Sequence, residues 1–278
     1  MAIPRVFHRI WLGDAELPEE YVRYGETWAQ HHPEWEMRLW TEREIEALEV
    51  EREEAKDRRR HPAERSDLLR YEILHRLGGV YIDTDMECLK PIDPLLEGVG
   101  FFAGKVRGNR LNNAIMGCEP GHPSAKVLTR KARPVDLADE NAKRVDQYGT
   151  GPYFLTAVLQ REQLKRRRIT LFDIPVFYPK PKGPYGDSYA VHHQGRSWYR
   201  TPEERTIAAL EEWLSDTQDE LEQVRGKLAR SERRLAKADR LLVAGRPWRG
   251  ALPPARFVVE LVAEARHDVR RRLARRSS

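Results

Sequence analysis

Two aspartates one residue apart, Asp83 and Asp85, are the residues of this sequence best suited to bind a metal ion. They follow Val80-Tyr81-Ile82, whose β-branched and aromatic side chains predict a short buried strand. Carboxylates at the end of a strand can both reach one hard divalent cation such as Mg²⁺ or Mn²⁺. A cation held there would neutralise a bound diphosphate. Because Asp-x-Asp also occurs as a simple polar turn, the neighbouring elements must decide between the two interpretations.

The segment before this strand carries a carboxylate and a guanidinium. Residues Ala63 to Leu77 have apolar side chains at helical spacing and are followed by Gly78-Gly79, which is typical of a helix C-terminus. Asp67 and Arg70 lie one turn apart on this predicted helix, so both can reach a pocket at the end of the strand. A carboxylate suits a ribose or base hydroxyl, and a guanidinium suits a phosphate. The alternative is an ion pair within the helix.

The elements that must position these residues alternate along the chain. Strand and helix patterns follow one another in the order β-α-β-α before the Asp-containing segment, which predicts an α/β fold. In an open α/β sheet, ligands bind at the carboxyl ends of the strands, where Asp83 and Asp85 are expected. The predicted strands are Arg5–Leu12, Glu36–Trp40, Val80–Ile82, Gly100–Lys105, Asn113–Cys118 and Ser188–His192. The predicted helices are Pro18–His32, a helix opened by a capping box at Thr41-x-x-Glu44, Ala63–Leu77, Pro123–Ala132 and Pro152–Gln163.

Charge divides the chain into two parts. The 278 residues carry a net charge of +5, yet residues 221–278 hold 16 Lys and Arg against 6 Asp and Glu. That segment therefore has a net charge of +10, and the first 220 residues have −5. Since the basic residues do not belong to the main domain, nucleic acid is excluded as its expected ligand.

The C-terminal part has a different pattern. Apolar or small residues alternate steps of three and four from Ile207 to Leu242, as in a coiled coil, and a basic amphipathic stretch follows from Phe257 to Ala274. We expect a catalytic domain at residues 1–200, a coiled-coil helix at 201–245 and a basic helix at 246–278. The coiled coil pairs with a second copy, as a homodimer, or folds back on the domain. The basic end contacts an anionic membrane surface or is simply solvated.

Composition limits the location of the protein. No run approaches the roughly 18 apolar residues of a membrane span, and the first residues lack a signal-peptide core. The expected location is the cytoplasm, with peripheral contact at the inner membrane face if the basic end binds lipid. Cys88 and Cys118 are expected to be reduced thiols.

Three motifs together resemble glycosyltransferase family 32, the Asp-x-Asp sugar transferases. This family includes yeast Golgi α-mannosyltransferases and bacterial capsular polysaccharide transferases, and clostridial glucosylating toxins share its core pattern. The motifs are Ile3-Pro4-Arg5-x-x-His8-x-Ile10-Trp11-x-Gly13, the segment Ser66 to Asp85, and His192-x-x-x-x-Ser197-Trp198.

The resemblance implies a glycosyltransferase A type, Rossmann-like domain that transfers a hexose from a UDP- or GDP-sugar with retention of configuration. The cofactor would be Mn²⁺ or Mg²⁺, bound by the catalytic Asp83 and Asp85 and by His192. The acceptor would be a glycan, a lipid-linked glycan or a protein, as in polysaccharide biosynthesis. The donor-binding residues implied by the family pattern are Trp11 for the base, Asp67, Arg70 and Tyr81 for ribose, sugar or phosphate, Asn113 for the sugar, and Ser197 and Trp198 for the diphosphate.

Several of these residues have a structural alternative. Trp11 and Tyr81 can be core residues, and His8 is interpreted as a structural histidine. His192 and His193 are adjacent, so only one of them faces the pocket if they lie in a strand; the family spacing to Ser197-Trp198 favours His192.

Other functions compete with sugar transfer. A phosphatase of the haloacid dehalogenase type also places Asp-x-Asp after a strand, but Glu87 stands where that class has Thr or Val. A nucleotide-sugar hydrolase would have the same donor site. A non-catalytic sugar-nucleotide-binding scaffold assembled through its coiled coil is the third alternative. No residue pattern identifies a general base.

Overall fold

A computed structural model describes residues 2–134, 136, 149–163, 168–179 and 184–193, together with residues 217, 221, 224–226 and 228–233. The chain divides into two compact units, Met1–Ala208 and Ala209–Ser278. The domain limits predicted at residues 200 and 245 fall outside the described ranges and stay predictions.

The first unit contains strands and helices that alternate over much of its length. The strands are β1 (Val6–Ile10), β2 (Glu36–Trp40), β3 (Gly79–Ile82), β4 (Met86–Cys88), β5 (Phe101–Val106), β6 (Arg110–Cys118), β7 (Ile169–Phe172) and β8 (Ala190–His192). The helices are α1 (Glu19–His31), α2 (Glu42–Ala47), α3 (Pro62–Leu77), α4 (Asp93–Leu96), α5 (Pro123–Lys131), α6 (Pro152–Gln163) and α7 (Ile174–Phe177).

The described strands form one six-stranded sheet in the order β2-β1-β3-β6-β5-β7 and a two-stranded sheet of β4 and β8. β1 is parallel to both β2 and β3, whereas β6 is antiparallel to β3 and β5. The predicted α/β class is confirmed. Since β1 and β3 are parallel, their carboxyl ends lie at the same edge of the sheet.

Helices cover both faces of the sheet, so the central strands β1, β3 and β6 are buried along most of their length, whereas the edge strands β2 and β7 are more exposed. One core cluster packs α3, α5 and α6 against side chains that include Tyr81 and Met116. The other packs α1 residues such as Trp28 against Phe7 and Val80. Because neighbouring β3 residues Val80 and Tyr81 point to opposite faces, each joins a different cluster.

The junction between α3 and β3 requires glycine. Gly78 ends the helix with φ +65°, and Gly79 follows with φ +90°. A Cβ atom at Gly79 would also lie 2.6 Å from Cγ1 of Val6 on the neighbouring strand. The two glycines therefore allow the chain to turn sharply from α3 into the strand that leads to Asp83.

The longer elements and the short strands β3 and β8 were predicted, whereas four other short elements were missed. β2 and α6 have the predicted bounds, and the capping box of α2 is present, with the Thr41 amide donating to Glu44 Oε2 at 3.0 Å. β6 begins at Arg110, three residues before the predicted start. β4, β7, α4 and α7 have three or four residues each, too few to produce a periodic pattern.

The two cysteines are free thiols, as predicted, and both are buried. No helix in the described part of the chain has the length and apolar content needed to cross a membrane.

The second unit is helical at its described positions. Five predicted heptad positions lie among them: Thr217, Leu221, Val224, Leu228 and Ser231. Leu221 and Leu228 are 49% and 45% exposed. Coiled-coil pairing stays a prediction, and the basic stretch Phe257 to Ala274 lies outside the described residues.

His8 is a buried histidine of β1, as interpreted from the sequence. Its Nε2 atom lies 3.0 Å from the Gly78 carbonyl oxygen, and Trp40 Nε1 donates to its Nδ1 at 3.2 Å. These two bonds suit the neutral ring, with the proton on Nε2. Burial lowers the pKa of His8 from 6.5 to about 4.

Because the pKa of His8 is lowered, we expect the protein to lose stability as the pH falls. The unfolded chain protonates His8 near pH 6.5, while the folded protein resists protonation until about pH 4, so acid favours unfolding. The expected loss from this group is about 2 kcal/mol between pH 7 and pH 5. His8→Gln should remove that loss, as measured by urea unfolding at both pH values. An equal pH-dependent loss in the variant would contradict the assignment.

Candidate active site

The candidate site lies at the edge of the sheet where β1 and β3 end. Phe7 pairs with Val80 and His8 with Tyr81, so Trp11 and Asp83, which follow the two strands, both lie at this edge. The structure thus brings together residues that are 72 positions apart in the sequence.

Asp83, Asp85 and His192 converge at this edge. Each offers one ligand atom, and these atoms all lie within 4.8 Å of one another. His192 Nε2 is 3.2 Å from Asp85 Oδ1 and 3.9 Å from Asp83 Oδ2. In an octahedral site with bonds of about 2.1 Å, neighbouring ligand atoms are about 3.0 Å apart and opposite ones about 4.2 Å. The spacing and the donor set of two carboxylates and one imidazole fit a divalent cation.

The small sheet of β4 and β8 brings His192 to the aspartates. Met86 pairs with His192 in this antiparallel ladder, and the His193 amide donates to the Asp85 carbonyl at 3.1 Å. β4 has only three residues, and its pairing partner is more than 100 positions away, which is why the sequence did not reveal it.

The choice between the two adjacent histidines is resolved by their contacts. His192 lies against the two aspartates, while His193 Nε2 is 2.8 Å from Glu87 Oε2. The His193 ring also stacks on Tyr24, with a centroid distance of 4.4 Å and an interplanar angle of 3°. β8 ends at His192, and His193 beyond it turns to Glu87, so only His192 contributes to the cluster.

Asp67 and Arg70 form an ion pair within α3 and also reach the site. Arg70 Nη2 is 3.3 Å from Asp67 Oδ1, and Nη1 is 3.2 Å from Asp83 Oδ1. The predicted ion pair is therefore present, and Arg70 also reaches the site, while donor binding by the two residues stays a prediction. Arg70 Nη1 also donates to the Asn113 carbonyl at 2.8 Å, so the guanidinium connects α3, β6 and the metal-binding segment.

The second carboxylate of this network is buried. Asp67 is 7% exposed and accepts from Asn113 Nδ2 at 2.7 Å and from Thr150 Oγ1 at 3.0 Å. Burial raises the pKa of Asp67, whereas the charge of Arg70 and the Thr150 hydroxyl lower it. Thr150 was not predicted as a site residue.

Tyr81 is a core residue whose hydroxyl also reaches the candidate site; its donor-binding role stays a prediction. The side chain is 1% exposed in the core, and its hydroxyl donates to Asp83 Oδ1 at 2.6 Å. Arg70 lies over the ring at 4.3 Å, a cation–π distance. Tyr81 and Arg70 therefore restrain the same carboxylate oxygen of Asp83.

Trp11 is partly exposed at the same edge, beyond the end of β1. Its Nε1 donates to the Ala15 carbonyl at 2.7 Å, and its ring meets Tyr21 edge-on at 6.0 Å. The indole is held by one hydrogen bond and one aromatic contact instead of being enclosed in the core. Ser197 and Trp198 lie outside the described residues.

Tyr178 is a residue near the site that sequence reasoning missed. Its ring approaches His192 edge-on at 6.0 Å, and its hydroxyl accepts from the Ile115 amide at 3.3 Å. A Cβ at Gly104 would lie 2.5 Å from this ring, so glycine makes room for it. The residue follows the four-residue helix α7 and belongs to no motif, so the sequence offers no signal for it.

Comparison with protein families identifies the segment that carries most of this site. Residues 18–101 match the model described as "Glycosyltransferase sugar-binding region containing DXD motif". The matched segment contains Asp67, Arg70, Tyr81, Asp83 and Asp85. The resemblance found from the sequence motifs is confirmed.

Curated relatives extend the similarity over a longer part of the chain. Inositol phosphoceramide mannosyltransferase 3 of Schizosaccharomyces pombe is 26% identical over 216 residues, which are 76% of this chain and 60% of the relative. Inositol phosphoceramide mannosyltransferase 1 of the same yeast is 31% identical over 211 residues, which are 72% of this chain and 63% of the relative. The chain thus spans less than two thirds of the length of either relative.

A solved structure, the PaToxG glycosyltransferase, has a TM-score of 0.42 and 16% identity to this chain. The match covers 58% of this chain and 70% of that one.

Proposed function

Because residues 18–101 match the sugar-binding region of DXD glycosyltransferases, we propose that this protein is a metal-dependent retaining glycosyltransferase that uses a nucleotide-sugar donor. The observation that carries the proposal is the convergence of Asp83, Asp85 and His192 within 4.8 Å. A polar turn after a strand would not need a histidine from a separate sheet at this spacing. The metal-site interpretation is therefore favoured over the turn.

The metal would be held by Asp83, Asp85 and His192. Mn²⁺ and Mg²⁺ both accept carboxylate oxygens, and the imidazole favours Mn²⁺ over the harder Mg²⁺. The bound ion would neutralise the negative charge of the leaving nucleoside diphosphate. Tyr81 and Arg70 prepare the site by restraining one oxygen of Asp83, which leaves its other oxygen to face His192.

Donor binding would use the groups next to the metal ligands. Trp11 is partly exposed at the same sheet edge, where its ring suits the nucleotide base. Asp67 and Asn113 suit donor hydroxyls because they present hydrogen-bonding groups beside Asp83. Arg70 is surrounded by Asp67, Asp83 and the Asn113 carbonyl, so we assign its main role to holding these groups in place. Ser197 and Trp198 remain proposed contacts of the diphosphate.

The chemistry proposed here depends on positioning and charge. The Arg70 guanidinium and the buried Asp67 carboxylate hold Asp83 in place before the reaction, so little reorganisation would be needed as the glycosidic bond breaks. Retention of configuration is proposed with the acceptor attacking from the face that the diphosphate leaves. In that arrangement the departing phosphate accepts the acceptor's proton, and the protein supplies no general base.

The names of the yeast relatives suggest a first donor and acceptor to test. Those proteins are inositol phosphoceramide mannosyltransferases. We therefore propose GDP-mannose before UDP-hexoses as the donor, and a lipid-linked acceptor before a polysaccharide or protein. Residues 221–278, which include the basic stretch, carry a net charge of +10. This charge would favour contact with an anionic membrane surface. Pairing of two copies through residues 207–242 is proposed on the heptad pattern.

A donor screen tests the proposed function. The purified protein with Mn²⁺ is expected to release nucleoside diphosphate from at least one of GDP-mannose, UDP-glucose, UDP-galactose and UDP-N-acetylglucosamine. EDTA should stop the release, and added Mn²⁺ should restore it. Release that does not increase with any acceptor would favour a nucleotide-sugar hydrolase. No release, together with no metal-dependent nucleotide binding, would contradict the proposal.

A further inference from the structure

Arg9 is a buried arginine whose hydrogen bonds join two separate parts of the fold. It is 7% exposed in β1, and its Nη2 atom donates to the Tyr21 carbonyl of α1 at 2.5 Å and to the Thr84 carbonyl at 3.0 Å. Thr84 is the residue between Asp83 and Asp85. Among the described residues no carboxylate lies within ion-pair distance of Arg9, and its Nε makes no hydrogen bond. Its charge is thus directed at backbone carbonyls.

Gly25 of α1 provides the space for this guanidinium. A Cβ atom at Gly25 would overlap Nη1 of Arg9 and lie 2.8 Å from Cζ. Glycine inside a helix is less favourable than alanine. The position is therefore unfavourable for the helix itself and is explained by the arginine that packs on it.

Two more bonds attach α1 to the segment that follows the aspartates. Trp28 Nε1 donates to the Met86 carbonyl at 2.9 Å, and the Cys88 amide donates to Thr27 Oγ1 at 2.9 Å. Together with the bond from Arg9 to Thr84, these bonds hold Thr84, Met86 and Cys88. The residues between and before them are Asp83, Asp85 and Glu87. The backbone is held at every second residue, so the intervening side chains have fixed directions.

We propose that Arg9 and Gly25 form a positioning device that sets the metal affinity of Asp83 and Asp85. The proposal rests on the metal-dependent function proposed above. By holding the Thr84 carbonyl, the guanidinium determines the direction of the flanking carboxylates, and its positive charge also acts on Asp85. The bonds of Arg9 go to the carbonyls of Tyr21 and Thr84, so it acts on the aspartates through the loop backbone. Residues that orient metal ligands in this way commonly change metal affinity by about 10- to 100-fold when they are replaced.

A double-mutant cycle tests the device, with Gly25→Ala, Arg9→Met and the two combined. For each variant we would measure the Mn²⁺ affinity, the unfolding temperature, and kcat and KM for the donor. Gly25→Ala should displace the guanidinium and weaken Mn²⁺ binding about 10-fold. Arg9→Met should weaken it to a similar degree. Adding Gly25→Ala to Arg9→Met should weaken it no further and should raise the unfolding temperature, because the methyl group then fits and alanine favours the helix.

The outcomes separate positioning from a purely structural role. If Arg9→Met and Gly25→Ala lower only the unfolding temperature, while Mn²⁺ affinity and kcat per folded molecule stay at the wild-type values, the inference is wrong. Additive effects of the two substitutions would also overturn it. If Arg9→Met fails to fold, the inference is tested with Gly25→Ala and Arg9→Lys instead. Lysine can restore one carbonyl contact, so Arg9→Lys should keep more of the Mn²⁺ affinity than Gly25→Ala. A wild-type protein that binds no Mn²⁺ would overturn the proposed function first, and this inference with it.

Discussion

Asp85→Asn is expected to reduce nucleotide release by about 100- to 1000-fold. Asparagine has nearly the shape of aspartate but lacks its negative charge, so the substitution tests the charge and little else. Asp85 is 3% exposed and lies 3.2 Å from His192, in the middle of the proposed metal site. Removing its charge should weaken cation binding and leave the departing diphosphate less well neutralised.

Thermal unfolding separates this effect from a folding defect. A ligand that binds only the folded state raises its stability, so Mn²⁺ should raise the unfolding temperature of the wild-type protein. The same Mn²⁺ concentration should have a much smaller effect on Asp85→Asn. Isothermal titration with Mn²⁺ would measure the loss of affinity directly.

Glu87→Gln is the matched control for this experiment. Glu87 is two residues further along the same segment, and its carboxylate contacts His193 instead of the metal ligands. The Glu87→Gln variant should keep nucleotide release within about two-fold of the wild-type rate, since substitutions away from a site have small effects. Equal losses in the two variants would show that the segment, and not the Asp85 charge, is responsible.

Arg70→Met is expected to destabilise the fold by about 3 to 5 kcal/mol. Arg70 is 5% exposed and compensates the buried carboxylate of Asp67 as well as Asp83, so its loss leaves negative charge unpaired. For a domain of this size the unfolding temperature should fall by about 10 °C. Differential scanning calorimetry without metal would measure this fall in unfolding temperature.

Two further variants make this prediction specific. Arg23→Met removes an exposed ion pair with Glu19 on α1, at 3.8 Å, and should change stability by no more than about 0.5 kcal/mol. Combining Arg70→Met with Asp67→Asn should recover part of the lost stability, because the neutral amide needs no countercharge. A loss for Arg70→Met no greater than that for Arg23→Met would contradict the role of the buried cluster.

The local elements of the site could be predicted because their signals are short-range. The capping box at Thr41 predicted the start of α2, and periodicity with the glycines after Leu77 predicted α3 and β3 close to their observed bounds. The spacing of one helical turn on α3 also predicted that Asp67 and Arg70 lie side by side, and their ion pair is present. These features depend on interactions between residues a few positions apart, which the sequence displays directly.

The sequence by itself determined the residue types of the site and the strand after which the aspartates stand. The family resemblance had named His192, but only the tertiary structure showed that the pairing of β4 with β8 brings it to the aspartates. The structure alone placed Thr150 beside Asp67 and Arg9 behind Thr84. Such contacts join residues from 75 to more than 100 positions apart. They follow from strand pairing and from the burial of whole helices, and no local pattern encodes either.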